Sequence, residues 1–227
     1  MSGSLSAPSA ILFDWDNTLI DSWPAIIHAM NTTLVAMDHA PWTEAECHAR
    51  IGRSMREAFP DLFGDRWHDA RVVFQETFAS IHLDMLMPLA GAEAMLAELS
   101  ARGIYLGVVS NKTGAFLRTE SAALGWDRYF GRLVGAGDAA RDKPAADPVH
   151  MALEGSGITA GERVWFVGDT LVDMQCGTES GCPAVLLHPD PPGADAYPGC
   201  PPRLVFRGCE DFHRFIANLP VPKTGEQ

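Results

Sequence analysis

Short apolar runs, each closed by a polar or glycine-containing cluster, alternate along much of the chain with stretches whose apolar positions recur every three or four residues. Ala10 to Phe13 is the first such run; it ends at Asp14 and reads as a buried strand. From Ser22 the period changes. Trp23, Ile26, Ile27, Met30, Leu34 and Met37 fall on a helical spacing, and Pro24 suits a first turn. Further helical pieces are expected over Glu44 to Arg50, Met55 to Phe59 and Trp67 to Leu83, so the segment from Ser22 to Met87 has no clear strand.

After Pro88-Leu89-Ala90-Gly91 the alternation resumes. Helices are expected over Ala92 to Arg102, Thr113 to Leu124, Pro148 to Glu154 and Leu171 to Ser180. Strands are expected over Ile104 to Val109, Leu133-Val134, Val164 to Val167 and Ala184 to Leu187. The proline- and glycine-rich stretch His188 to Pro202 reads as a loop, followed by a strand at Leu204 to Phe206 and a helix from Asp211 to Leu219. Strands alternating with helices imply crossover units and a parallel sheet. The expected fold is therefore α/β: a Rossmann-like parallel core from residues 1–21 and 88–227, with an all-helical cap inserted at 22–87.

Composition narrows the function. With 227 residues, 47% of them hydrophobic, the chain can bury one full α/β core plus a smaller module. No apolar run approaches the roughly 20 residues needed to span a bilayer. Met1 to Ser9 holds no basic residue and Asp14 stops the first apolar run, so no secretory leader is expected and the location expected is cytoplasmic. The cysteines Cys47, Cys176, Cys182, Cys200 and Cys209 are odd in number and form no C-x-x-C pair; free thiols are expected. A net charge of -12 excludes nucleic acid as a partner, because no basic stripe faces a phosphate backbone. It also repels small phosphate esters, so binding one needs a local positive centre. Only three lysines occur, Lys112, Lys143 and Lys223, which makes their positions informative.

Four polar segments stand at or near the ends of expected strands: Asp14-Trp15-Asp16-Asn17-Thr18, Ser110-Asn111, Lys143-Pro144, and Gly168-Asp169 with Asp173. In an open parallel sheet ligands bind at the carboxyl ends of the strands, so these segments can converge. Each taken alone has an ordinary explanation: a solvated turn, a helix start, a surface lysine, a helix-surface carboxylate. Together and in this order they resemble the haloacid dehalogenase superfamily, in its phosphatase branch closest to phosphoglycolate phosphatase-like proteins, from Ile11 to about Phe215. Asn17 stands where glycine is common in that family, and asparagine tolerates the left-handed backbone the loop needs.

The resemblance implies an HAD-like core and a magnesium-dependent phosphatase acting on a small phosphorylated metabolite. It makes Asp14 the nucleophile, Asp16 the general acid and base, Ser110 a phosphoryl ligand and Lys143 the charge-stabilising cation. The Mg²⁺ ligands expected are Asp14, the backbone carbonyl of Asp16, Asp169 and, directly or through water, Asp173. Thr18 and Asn111 are expected on the substrate side. In the cap, Ile51-Gly52-Arg53-Ser54 looks like the family's specificity loop, with Arg53 suited to a carboxylate or second phosphate. A sugar phosphomutase is the main alternative; a carbon–halogen hydrolase needs neither the metal nor an acid at position 16, and a binding protein need not keep all these groups. A phosphonate-cleaving relative needs a cap lysine, and 22–87 has none. A monomer or homodimer, without nucleic acid or membrane partners, completes the expectation.

Overall fold

The first apolar run becomes a central strand. In the computed structural model, which describes residues 7–219, β1 (Ala10–Phe13) leads into a two-residue strand, β2 (Ile20–Asp21). Four helices follow: α1 (Trp23–Ala36), α2 (Glu44–Arg50), α3 (Met55–Phe63) and α4 (Trp67–Ile81). The chain returns through β3 (Met87–Pro88) to α5 (Ala92–Ala101), β4 (Tyr105–Thr113), α6 (Gly114–Leu124) and β5 (Arg132–Ala136). Then come α7 (Asp147–Leu153), β6 (Val164–Gly168), α8 (Leu171–Glu179), β7 (Ala184–Leu187), β8 (Leu204–Phe206) and α9 (Cys209–Ala217).

The main sheet has the order β5-β4-β1-β6-β7-β8, and every neighbouring pair is parallel. The chain leaves β1 for β4 and β5 on one side, then crosses back to β6 on the other. The switch point is therefore β1, and the crevice at its carboxyl end is where such a sheet receives a ligand.

Alternation along the strands divides the core into two layers. Ile11 and Phe13 of β1, with Trp165 and Val167 of β6, face α5, α6 and α9 through Met95, Leu99, Leu117 and Phe212. Ala10 and Leu12, with Val164 and Phe166, face α7 and α8 through Val149, Leu153 and Cys176. Because both faces are covered, the strands read as unbroken apolar runs. The four inserted helices have apolar clusters of their own, one around Met30, Leu34, Phe59 and Phe63 and another around Ala25, Ile26 and Phe78.

Three local readings change. Between 22 and 87 there is a strand after all, β3, which pairs antiparallel with β2 so that the two crossings into the helical insert lie side by side. The third cap helix does not stop at Phe59 but runs through Pro60 to Phe63, because burial of Phe63 beside Phe59 holds the extra turn. The strand expected to end at Val109 continues to Thr113: Thr113 pairs with Ala136 after a register shift, so Ser110 and Asn111 lie in the strand and not at a helix start. In the stretch 188–202, Tyr197 and Cys200 pack on Met174 and Leu186. All five cysteines are buried free thiols.

Candidate active site

Asp14 follows β1 directly, and its N–H donates to the Val167 carbonyl at 2.8 Å, which fixes the strand end against β6. The chain then doubles back. Asn17 adopts φ 60°, its N–H donates to the Ile20 carbonyl, and its side-chain Oδ1 accepts the Ser22 N–H at 3.2 Å. An asparagine amide can make that local bond where glycine could not, which explains why this loop closes without glycine.

Lys143 lies at the centre of an acidic group. Its Nζ is 2.7 Å from Asp14 Oδ1 and 2.7 Å from Asp173 Oδ1. Asp173 is fully buried, and its other oxygen accepts from the Asp169 N–H, the Thr170 N–H and the Thr170 hydroxyl. It sits so close to the strand exit that a Cβ on residue 168 would lie 2.3 Å from its Cγ; only glycine fits there. Asp169 accepts the Thr18 hydroxyl at 3.1 Å. One carboxylate oxygen from each of Asp14, Asp169 and Asp173 falls within 4.8 Å of the others.

Burial pushes the Asp14 carboxyl up to about 6; Lys143 opposes that rise, while Asp173 and Asp16 add to it. Burial, then Asp173 and Asp14, raise Asp169 as well. Burial works against the charge on Lys143, but Asp14 and Asp173 outweigh it and hold the ammonium above its ordinary range. Three carboxylates against one ammonium leave a surplus of two negative charges, and Asp14 Oδ1 is buried without an aligned hydrogen bond. A divalent cation cancels that surplus. An all-oxygen set with no histidine or cysteine in it is the donor chemistry of magnesium.

The other expected residues divide. Ser110, 5% exposed, borders the same cavity as Asp14, Asp16, Lys143 and Asp169. Thr18 is absent from that lining: it is 1% exposed and donates its hydroxyl to Asp169, so it orients a carboxylate. Asn111 is also engaged, its Nδ2 donating to the carbonyls of Gly52 and Lys143 and its Oδ1 accepting the Lys143 N–H. It ties the lysine loop to the cap. Arg53 borders the cavity but pairs with Asp61 at 3.0 Å on the exposed rim.

Two further contacts matter. Lys112, nearly fully buried, places Nζ 2.6 Å from Asp16 Oδ1 and 2.7 Å from Glu120 Oε2. Glu120, 1% exposed, also accepts the Trp15 indole N–H at 2.7 Å and meets His82 Nδ1 of the cap at 2.8 Å. Burial lowers the Lys112 ammonium, yet Asp16 and Glu120 raise it further. Arg56 reaches from the cap to Asp142, which precedes Lys143, with both Nε and Nη2 engaged and the latter at 2.6 Å. The scarcity of lysine was the one sign in the sequence that pointed at Lys112.

Above these groups lies a cavity of about 360 Å³. Its floor is Asp14, Asp16, Ser110, Lys143 and Asp169, and its roof comes from α1, α3 and α4.

A family model for haloacid dehalogenase-like hydrolases matches residues 11–187. A phosphoglycolate phosphatase from Xylella fastidiosa is 31% identical over 183 residues, covering 79% of this chain and 80% of that protein. A phosphoglycolate phosphatase from Rhodospirillum rubrum is 32% identical over 196 residues, with 79% of each covered. The crystal structure of a HAD-superfamily hydrolase from Ehrlichia chaffeensis superposes with a TM-score of 0.65 at 29% identity, covering 94% of this chain and 98% of that one. No helix among the described residues is long and apolar enough to cross a membrane.

Proposed function

The chain belongs to the haloacid dehalogenase-like hydrolases and is a phosphatase of that family, and from that premise we propose that it hydrolyses a small phosphorylated metabolite in two steps through an aspartyl phosphate on Asp14. One observation carries the reading: Asp14, Asp16, Ser110, Lys143 and Asp169 border one cavity at the switch point of the sheet. Asp14, the Asp16 carbonyl and Asp169 would hold magnesium, which would supply positive charge to the phosphoryl oxygens. Asp173 keeps Asp169 and Lys143 in place, since both of its oxygens are already engaged by this chain.

In the first step a carboxylate oxygen of Asp14 forms a bond to phosphorus, the ester P–O bond breaks, and Asp16 gives its proton to the leaving alkoxide. In the second, Asp16 takes a proton from water, whose oxygen attacks phosphorus and releases Asp14. Lys143 holds Asp14 and the phosphoryl group against their mutual repulsion. Ser110 donates to a phosphoryl oxygen. Residues 22–87 act as the cap over the core formed by 1–21 and 88–227, excluding water and contacting the part of the substrate that is not transferred.

The relatives' name makes 2-phosphoglycolate one ester to assay; the shape of the cavity gives reason to assay others beside it. Asp14→Asn should leave the fold intact and release phosphate from every ester at under about 1% of the wild-type rate, given penalties of roughly 10²–10⁴ for lost catalytic groups. Chelation of divalent ions should stop the wild type. Turnover that survives both treatments would rule out this mechanism.

A further inference from the structure

From the walls of the cavity we infer that the substrate is a monophosphate ester whose alcohol carries an apolar body of about six or more carbons, a medium-chain alkyl or an aryl group; the inference rests on the phosphatase reading. Opposite the charged floor, the cavity is bounded by Ile26, Met30, Trp42, Phe59, Phe74 and Phe116. Phe74 stacks on Phe78 at 5.9 Å, and Phe78 meets Phe116 of the core at 5.2 Å, so the aromatic wall runs from the cap to the neighbourhood of Lys112. Side chains of this kind ordinarily fill the space between them. Here they enclose about 360 Å³ that opens onto Asp14, within the roughly 300–1,000 Å³ of sites that bury sizeable organic ligands.

The cations on the cap side are already used. Arg50 pairs with Glu46 at 3.2 Å and lies 4.8 Å from the centre of the Trp42 ring, and Arg53 pairs with Asp61, itself on the cavity rim. Lys112 is saturated by Asp16 and Glu120. A second anionic group on the substrate, such as the carboxylate of 2-phosphoglycolate, therefore meets no free positive charge among the described residues and must compete with Asp61 or displace an existing pair. A two-carbon alcohol also leaves most of the apolar volume unfilled. The reaction itself is unchanged: the ester P–O bond breaks, the alcohol leaves with the proton from Asp16, and water supplies the new phosphate oxygen.

The test uses the wild-type protein with magnesium and n-alkyl phosphates from ethyl to octyl, whose leaving alcohols differ little in acidity. kcat/KM should climb by up to about fourfold per methylene, the ratio equivalent to about 0.8 kcal/mol, and exceed the value for 2-phosphoglycolate by hexyl phosphate. A flat or falling series, or 2-phosphoglycolate as the better substrate, overturns the inference. Ala58→Glu, which puts a carboxylate into the wall, should abolish the dependence on chain length; an unchanged slope removes the chain from this cavity. Binding is measured separately with two non-hydrolysable phosphonates, 1-naphthylmethylphosphonate and 3-phosphonopropionate, followed by tryptophan fluorescence. Tighter binding of the naphthyl compound by at least tenfold supports the apolar site even if no ester is turned over, in which case the phosphatase reading fails alone. Equal or reversed affinities overturn the apolar site whatever the turnover shows.

Discussion

Replacing Glu120 with glutamine removes one negative charge from the interior and almost nothing else. In the native protein its carboxylate receives the Lys112 ammonium on both oxygens, the Trp15 indole N–H and the His82 ring. The glutamine amide offers one acceptor and presents an N–H₂ group to the remaining donors. Removing one partner of a buried pair costs about 3–5 kcal/mol when the other charge is stranded. Lys112 is not fully stranded, because Asp16 remains 2.6 Å away. The expected loss is accordingly about 2–3 kcal/mol, between the roughly 1.5–3 kcal/mol of one lost charge-assisted bond and the lower edge of that range. For a chain of this length that corresponds to a drop in Tm of roughly 4–12 °C. Urea unfolding of wild type and E120Q, followed by circular dichroism, measures it. A loss below about 1 kcal/mol for E120Q refutes the view that Glu120 is the ionised counter-charge of Lys112.

Other perturbations separate the cap contacts from the acidic cluster. Arg56→Ala should lower kcat/KM by about tenfold or more by freeing Asp142 beside Lys143, and Arg56→Lys should restore only part of it, since a lysine cannot make the two-pronged contact; steady-state kinetics on both variants decides. Arg53→Ala should change KM by less than about threefold, because an exposed arginine already paired with Asp61 gives up little; a tenfold rise in KM would place a substrate anion on it. Asp14 is raised from 3.8 to about 6 in the metal-free fold, so without metal its ionisation weakens the fold as pH rises from about 4 through 6. Magnesium binds the ionised form, so the rise in Tm on adding it should be larger at pH 7.5 than at pH 5; differential scanning calorimetry at the two pH values tests this, and an equal rise at both contradicts it.

The sequence was most readable where one residue type served one local purpose. β1, β6 and β7 are short apolar runs because both faces of the sheet are covered, and their polar stops fall where Asp14 and Asp169 emerge. The two-residue strands β2 and β3 carry no periodicity and exist only because they find each other across the whole cap. Ser110, Asn111 and Lys112 look like a loop by polarity, yet they remain extended, and what their side chains touch depends on distant positions: Gly52 in the cap, Lys143 and Glu120. The contact of Thr18 with Asp169, 151 residues away, was hidden for the same reason. Arg53 was legible as a cation at the right loop, but its neutralisation by Asp61 depends on how α3 folds back.

The pairing of Ile20 with Pro88 and of Asp21 with Met87 brings the two ends of the cap segment to adjacent strand positions, about 5 Å apart as antiparallel partners are. The core chain thus closes on itself at this point, and 22–86 enters and leaves the core through one pair of strands. A two-residue Asn-Gly turn spans the same gap. Lengthening, exchanging or deleting the segment changes no strand order and rethreads no connection, and what a replacement must supply anew is the set of contacts that Gly52, Arg56 and His82 make with Asn111, Asp142 and Glu120.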